Sequence, residues 1–285
     1  MSFSLVHLSD LHFGGAADLA QIEAVETLVP ELEPGLVVIS GDISLRSRHG
    51  EFQRAKAFVR LMDRAAPVHV MPGNHDVQWW RRPFIPFGRD AKYAKYRAYF
   101  GQDLAPVLDL PDVIVAGVLT SHGVAWGSLT PRLRDIAVKG HLPKSEILRA
   151  GKTFAAARPD QTRILVLHHN VLRGELSQRM GLARWKTAQR RIVESGADLV
   201  LCGHDHQEQV DVLDGVVVAC AGTLSTRSRG QRPPVFFRIV IEDDAIVVEH
   251  YRWDAPAGVF RRSHQHQFAR RRPVDRAAAA PVPEA

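Results

Sequence analysis

Cysteine is nearly absent from this chain of 285 residues: only Cys202 and Cys220 occur. Two thiols are too few for a disulfide framework, and none is needed. Both lie in apolar, strand-like runs, so buried free thiols are expected, a state suited to a reducing compartment. Long hydrophobic runs are missing too, and none approaches the roughly 18 apolar residues of a membrane span. The start, Met1-Ser2-Phe3-Ser4, enters a strand-like run with no basic leader. A cytoplasmic location without a transmembrane segment is the expectation. Aromatic residues make up 7% of the chain, and no long basic stripe interleaves with them. A stable nucleic-acid partner is therefore not expected. No internal repeat is present.

What is there is ordinary for a globular protein, with 45% hydrophobic and 24% charged residues. The core can be large without covalent staples. The formal net charge is +6, with arginines gathered at Arg46/Arg48, Arg81/Arg82, Arg132/Arg134, Arg227/Arg229/Arg232 and Arg261/Arg262/Arg270/Arg271/Arg272. Such a surface attracts phosphorylated substrates, anionic lipid surfaces or nucleic acid alike, so it is compatible with peripheral membrane contact. Charge does not choose among them.

Strand-like and helix-like segments alternate from the start. Strands are predicted at Phe3–Ser9, Leu36–Ser40, Pro67–Met71, Val113–Thr120, Arg163–Leu167 and Asp198–Cys202, then at Val216–Ala219, Val235–Ile241 and Ala245–Trp253. Helical spacing covers Asp18–Leu28, His49–Ala65, Asp90–Phe100, Lys144–Ala157 and Leu182–Glu194. Residues 77–89 read as a Trp/Arg-rich loop or cap and 121–141 as an irregular arm. The acidic Glu242-Asp243-Asp244 turn predicts a hairpin. The pattern gives an α/β domain over residues 1–263. Residues 264–285, basic and then Ala/Pro-rich, are expected to form a flexible tail, because they carry too little apolar surface to offset ordering entropy.

Five of these runs end in residues that bind first-row ions through O and N donors. They are Asp10 and His12, Asp42, Asn74 followed by His75, His168, and finally His204 and His206. Ligands at successive strand ends converge on one edge of a sheet, where open α/β folds place their sites. Each group is weak alone, since Asp-x-His pairs and turn aspartates are common. Asp42 can bridge two metals, one oxygen to each, and Gly41 leaves room for close approach. Asn74 can ligate through its amide oxygen. His75 would lie beside the metals without binding them, a place suited to a general acid. Of His168 and His169, the former sits against its strand and is the ligand. His204-x-His206 can send one imidazole to each ion. Five groups in this order make a two-metal hydrolase the reading.

The series Asp10-x-His12, Gly41-Asp42, Gly73-Asn74-His75-Asp76, His168 and Gly203-His204-x-His206 resembles the calcineurin-like metallophosphoesterase superfamily. The opening His7-Leu8-Ser9-Asp10-Leu11-His12-Phe13-Gly14 is similar to its bacterial cyclic-nucleotide-phosphodiesterase-like branch. The resemblance implies a four-layer αββα sandwich of two mixed sheets flanked by helices, in one domain. It implies one metal on Asp10, His12, Asp42 and His206, and a second on Asp42, Asn74, His168 and His204. Mixed O/N ligands suit Mn²⁺, Fe or Zn²⁺, with Mn²⁺ and Fe foremost. The implied chemistry is in-line attack by a metal-bridging hydroxide, with His75 stabilising or protonating the leaving group. Two departures from relatives bear on specificity: Asn170-Val171 stands where many have a proline, and Thr120-Ser121-His122 where many have Asn-Thr.

Substrate contacts are sought in loops after strands, at Arg46, His49, Trp79, Trp80, Arg81, Arg82, His122, Trp126, His169 and Arg227. Arg46, His122, His169 and Arg227 are the foremost of these. A small phosphodiester such as a cyclic nucleotide is the leading substrate. The alternatives are pyrophosphate cleavage in a nucleotide-sugar lipid precursor, a nuclease, and a non-catalytic binding module. The full ligand set favours catalysis over binding.

Overall fold

A computed structural model describes residues 2–78, 90–123 and 138–271. Six strands form a first sheet: β1 (Phe3–Leu8), β2 (Leu36–Ile39), β3 (Val68–Val70), β10 (Val235–Ile241), β11 (Ala245–Asp254) and β12 (Val259–Ala269). Their order across the sheet is β12-β11-β10-β1-β2-β3. The second sheet holds β4 (Val107–Asp109), β5 (Val113–Gly117), β6 (Thr162–Val166), β7 (Leu199–Cys202), β8 (Gln209–Leu213) and β9 (Val216–Cys220), in the order β4-β5-β6-β7-β9-β8. Both are mixed. Strands β1, β2 and β3 run parallel, as do β5, β6, β7 and β9, while the outer pairings are antiparallel.

Side-chain alternation along each strand sorts the residues into layers. Leu5 of β1, Val38 of β2, Val113 and Val115 of β5, Ile164 and Val166 of β6, and Phe237 and Ile239 of β10 meet between the sheets. The opposite faces meet helices. Helices α1 (Leu19–Glu31), α2 (His49–Met62) and α3 (Ala94–Phe100) cover the first sheet with Val25, Phe52, Phe58 and Tyr96. Helices α4 (Lys144–Ala155) and α5 (Trp185–Glu194) cover the second with Ile147, Phe154 and Ile192. The result is the four-layer αββα sandwich. Strands buried on both faces read as unbroken apolar runs, and that is why Leu36–Ile39 and Leu199–Cys202 were conspicuous in the sequence.

Three strands were not foreseen: β4, β8 and β12. The first two are short or half-exposed partners of β5 and β9. The third corrects the boundary placed after residue 263. Strand β12 runs on to Ala269, pairing with β11 from Asp254↔Val259 back to Ala245↔Ala269. A backbone ladder, rather than apolar burial, orders His264–Ala269. Residues 79–89 of the expected cap, most of the arm at 121–141 and the tail from 272 onward lie outside the described residues, while Val77 and Gln78 are buried. Among the described residues no helix is long and apolar enough to cross a membrane.

Replacing Ile164, fully buried between the sheets, with Ala should lower the unfolding free energy by about 3 kcal/mol. Leu148→Ala, on an exposed face of α4, should change it by less than about 0.5 kcal/mol. Urea denaturation of the two variants checks the difference.

Candidate metal centre

The parallel strands β1, β2, β6 and β7 all point their C-terminal ends to one edge, and the loops beyond them are stitched together by backbone hydrogen bonds. Asp10 N donates to Gly41 O (3.1 Å), His12 N to Asp42 O (3.0 Å) and Gly203 N to His168 O (2.8 Å). These bonds hold the chain in an uncommon conformation. Asp10 (φ 55°), His12 (φ 49°), Asp42 (φ 51°), His204 (φ 75°) and His206 (φ 56°) all lie in the left-handed region. For residues with a Cβ this costs roughly 1–2 kcal/mol each. Strain of this kind persists where the surroundings over-determine it, and it gathers at functional sites.

The strained loops bring two groups of donors together: Asp10, His12, Asp42 and His206, and Asp42, His168 and His204, with the candidate ligand atoms of each group within 4.8 Å of one another. Asp42 belongs to both. Its Oδ1 lies 3.3 Å from His168 Nε2 and its Oδ2 lies 3.9 Å from His12 Nε2. Asn74 joins the second group, with its Oδ1 3.1 Å from His168 Nε2. The close approach requires glycine: a Cβ on Gly73 would stand 2.1 Å from both Asp42 N and Asp42 Oδ1.

The donor set fits a pair of cations. His168 Nδ1 contacts Ser40 O at 3.0 Å and His206 Nδ1 contacts Arg227 O at 3.0 Å, so both Nδ1 atoms carry protons and both Nε2 atoms face inward. Asp10 Oδ2 accepts from Ser9 Oγ (2.7 Å) and His204 N (2.8 Å). Asp10 Oδ1 is buried without a hydrogen-bond donor, although His206 Nε2 lies 3.3 Å away. The Asp10 carboxylate draws positive charge to that ring, and a cation at the same place would meet both the oxygen and the Nε2 lone pair left by a proton on Nδ1. His12 Nε2 and His206 Nε2 are 3.0 Å apart. Either a proton on one nitrogen or a cation between the two satisfies this contact, and a cation would also serve the orphaned Asp10 Oδ1. Burial holds His12 and His204 neutral, down at about 3. Burial also opposes charge on His168, but the Asp42 and Asp10 carboxylates outweigh it and raise that imidazole to about 9. The field in the site therefore favours cations.

His75 stands beside this set. Its backbone N donates to Asp42 Oδ1 (2.8 Å), its Nδ1 contacts Leu45 O (2.7 Å), and its half-buried Nε2 lies 4.0 Å from Asp42 Oδ2. Asp76, to which the sequence motif gave no role, is the clamp of the loops. It accepts from Ile43 N (3.1 Å), Ser44 N (2.8 Å), Ser44 Oγ (2.7 Å) and Gly73 N (2.9 Å).

The substrate contacts expected from the sequence divide. Arg227 lines the cleft together with Asp42, Asn74, His204 and His206. Arg46 is exposed on the loop before α2, while His122 turns its Nε2 to Leu119 O (3.0 Å), and neither is among the described residues lining the cleft. His49 hydrogen-bonds the Tyr99 hydroxyl. His169 is a correction: it is buried, with Nδ1 on Thr120 Oγ1 (2.9 Å) and Nε2 on Val138 O (3.0 Å), so neither nitrogen is open to substrate. Trp79, Trp80, Arg81, Arg82 and Trp126 lie outside the described residues. The cleft, of about 400 Å³, instead gathers Lys139, Arg173, Arg179, Trp185 and Arg229 around the ligands. Arg173 and Arg179 sit in the loop after His168-His169. The rule that pointed to loops after strands could have found them.

Comparison with known proteins agrees with this geometry. The profile of the calcineurin-like phosphoesterases matches residues 3–208, from β1 past His206. The chain belongs to the calcineurin-like phosphoesterase family. No curated protein is similar enough to count as a match. Among solved structures, a dimetal phosphatase from Danio rerio superposes with a TM-score of 0.66 at 12% identity, over 94% of this phosphoesterase and 99% of that chain. A purple acid phosphatase, PPD1, from yellow lupin seeds gives 0.67 at 13% identity, over 100% of this chain and 57% of the lupin chain. GAP50 of Plasmodium, the anchor in the inner membrane complex, gives 0.62 at 10% identity, over 99% and 95%. At these identities the likeness is one of fold.

Asp76→Ala should leave the backbone N–H groups of Ile43, Ser44 and Gly73 without their acceptor. A stability loss of about 3 kcal/mol is expected, with metal affinity weakened roughly 10- to 100-fold. Urea unfolding and metal titration of the variant measure the two effects.

Proposed function

We propose that this phosphoesterase hydrolyses phosphodiesters with a pair of metal ions. Asp10, His12, Asp42 and His206 hold one ion, and Asp42, Asn74, His168 and His204 the other, with Mn²⁺ or Fe best suited to the mixed donors. The observation that carries the reading is the single Asp42 carboxylate lying between two groups of imidazoles, one oxygen to each. Bound there, the ions would withdraw charge from a phosphoryl group and acidify a water.

The chain's own residues do the rest. Asp42 is fixed by the His75 N–H and by the tight passage of Gly73, so the two groups of donors keep their spacing. His75, braced by the Leu45 carbonyl, presents Nε2 to the cleft, where it donates a proton to the departing oxygen. Arg227 and its cationic neighbours orient the phosphate. A pure binding module of this fold would have no need of a complete ligand set. The free, buried thiols Cys202 and Cys220 support a reducing, cytoplasmic setting.

One observation favours a second reading, hydrolysis of a pyrophosphate in a nucleotide-linked substrate. Lys139, Arg173, Arg179 and Arg227 join Arg229, itself paired with Asp205 at 3.6 Å, around one cleft. That is more positive charge than a single phosphodiester needs. Trp185 in the same cleft offers a face for a base.

Metal-stripped protein reloaded with Mn²⁺ should turn over bis(p-nitrophenyl) phosphate well and p-nitrophenyl phosphate poorly. His75→Ala should cut kcat roughly 10²- to 10⁴-fold, and Asn74→Ala should weaken metal binding. Faster turnover of the monoester would sink the diesterase reading. Arg173→Ala with Arg179→Ala should raise KM for a nucleoside-diphosphate-linked substrate far more than for the small diester. Equal effects on both would remove the second reading.

A further inference from the structure

Strands β11 and β12, at the outer edge of the first sheet, carry none of the residues assigned to catalysis. They do carry a cluster of imidazoles. His250 of β11 pairs in register with His264 of β12, and His266 follows on the same face. The ring centroids of His250 and His264 are 3.8 Å apart, those of His250 and His266 5.2 Å, and those of His264 and His266 5.4 Å. One candidate ligand nitrogen from each ring lies within 4.8 Å of the others.

Two features separate this cluster from a chance grouping. His250 is 2% exposed, yet neither of its ring nitrogens has a hydrogen-bond partner. A polar group left so costs about 1–3 kcal/mol. The second feature is local backbone design. The register jumps from His250↔His264 to Tyr251↔Arg262, leaving Ser263 as a bulge, a device that re-aims side chains. Ser263 Oγ donates to the His250 carbonyl (3.2 Å) and contacts His264 Nδ1 (3.0 Å). Its only proton is thus committed, so His264 donates from Nδ1 and keeps its Nε2 lone pair free. A hydrogen bond that fixes the tautomer of an imidazole is what metal-ligating histidines use.

We propose that His250, His264 and His266 form a second binding site, for a divalent ion of the zinc, copper or nickel kind, which clips the edge strand β12 to β11. Imidazole nitrogens suit these ions, and a tetrahedral zinc would draw the ring nitrogens to about 3.3 Å from one another, with the fourth position left to solvent. The charged groups nearest the cluster are Arg252 and Glu208, which neutralise each other at 2.9 Å. Burial, together with Arg252 and the neighbouring rings, keeps His250 and His264 neutral and able to ligate.

Equilibrium dialysis of the full chain against micromolar free Zn²⁺ tests the site. The variant His264→Ala/His266→Ala should hold one zinc fewer per chain than the wild type while hydrolysing bis(p-nitrophenyl) phosphate at the same rate. The single variant His266→Gln, which keeps a polar side chain of similar length on the strand, should weaken the same zinc at least tenfold. Zinc content and affinity equal to wild type in both variants would overturn the proposal. So would an extra zinc that survives both.

Discussion

The arrangement depends on one carboxylate. Asp42 must stand between two sets of imidazoles with each oxygen committed to a different side, and the surrounding chain is shaped to keep it there. Its backbone is left-handed, its carbonyl accepts from His12 N, and its Oδ1 accepts from His75 N. Gly73 passes so close that any side chain there would collide with it. Asp76 ties both flanks of this passage, at Ile43, Ser44 and Gly73, to one point. A site strained at five of its residues needs such cross-bracing, because each left-handed residue would relax if its loop were free.

The two sheets provide the rigidity that the loops lack. Between them lies a mainly aliphatic core from both inner faces, with Phe237 among it, and helices pack on the outer faces. Four parallel strand ends are thereby fixed relative to one another, so loops far apart in sequence can be stitched together at hydrogen-bond distance. Asp10 and His204 are 194 residues apart, yet the backbone of one is bonded to the carboxylate of the other. The same scaffold leaves the opposite margin of the first sheet open. There α1 packs against part of β12 through Phe260, and the rest of that long strand carries exposed charged and imidazole side chains.

Much of this was legible from residue order. The strands buried on both faces announced themselves as apolar runs, and the seven ligand candidates followed those runs directly. Asp18, which caps α1 with its side chain, marked a helix start that the spacing had already indicated. Elements stabilised by pairing rather than burial were harder to see. Strand β12 is almost wholly exposed along its length, so it lacks the alternation that reveals a strand. His169 misled for a related reason: adjacency to His168 says that it is near the metals, but only packing shows both of its nitrogens consumed by Thr120 and Val138.

The sequence by itself determined which residue types are available at the strand ends, and in what order, because strand and helix periodicity and turn chemistry are local properties. It thereby determined the α/β class and the kind of chemistry, while the layers came only with the family resemblance. Tertiary structure alone decided how those residues face one another. Which oxygen of Asp42 serves which imidazole, which histidine tautomer is held, that Asp76 is the clamp and that Arg173 and Arg179 reach the cleft all depend on contacts between segments distant in the chain. The register of β12 against β11, which brings His250 to His264, is of the same kind. Such contacts are set by packing and long-range hydrogen bonds, and no local pattern of residues encodes them.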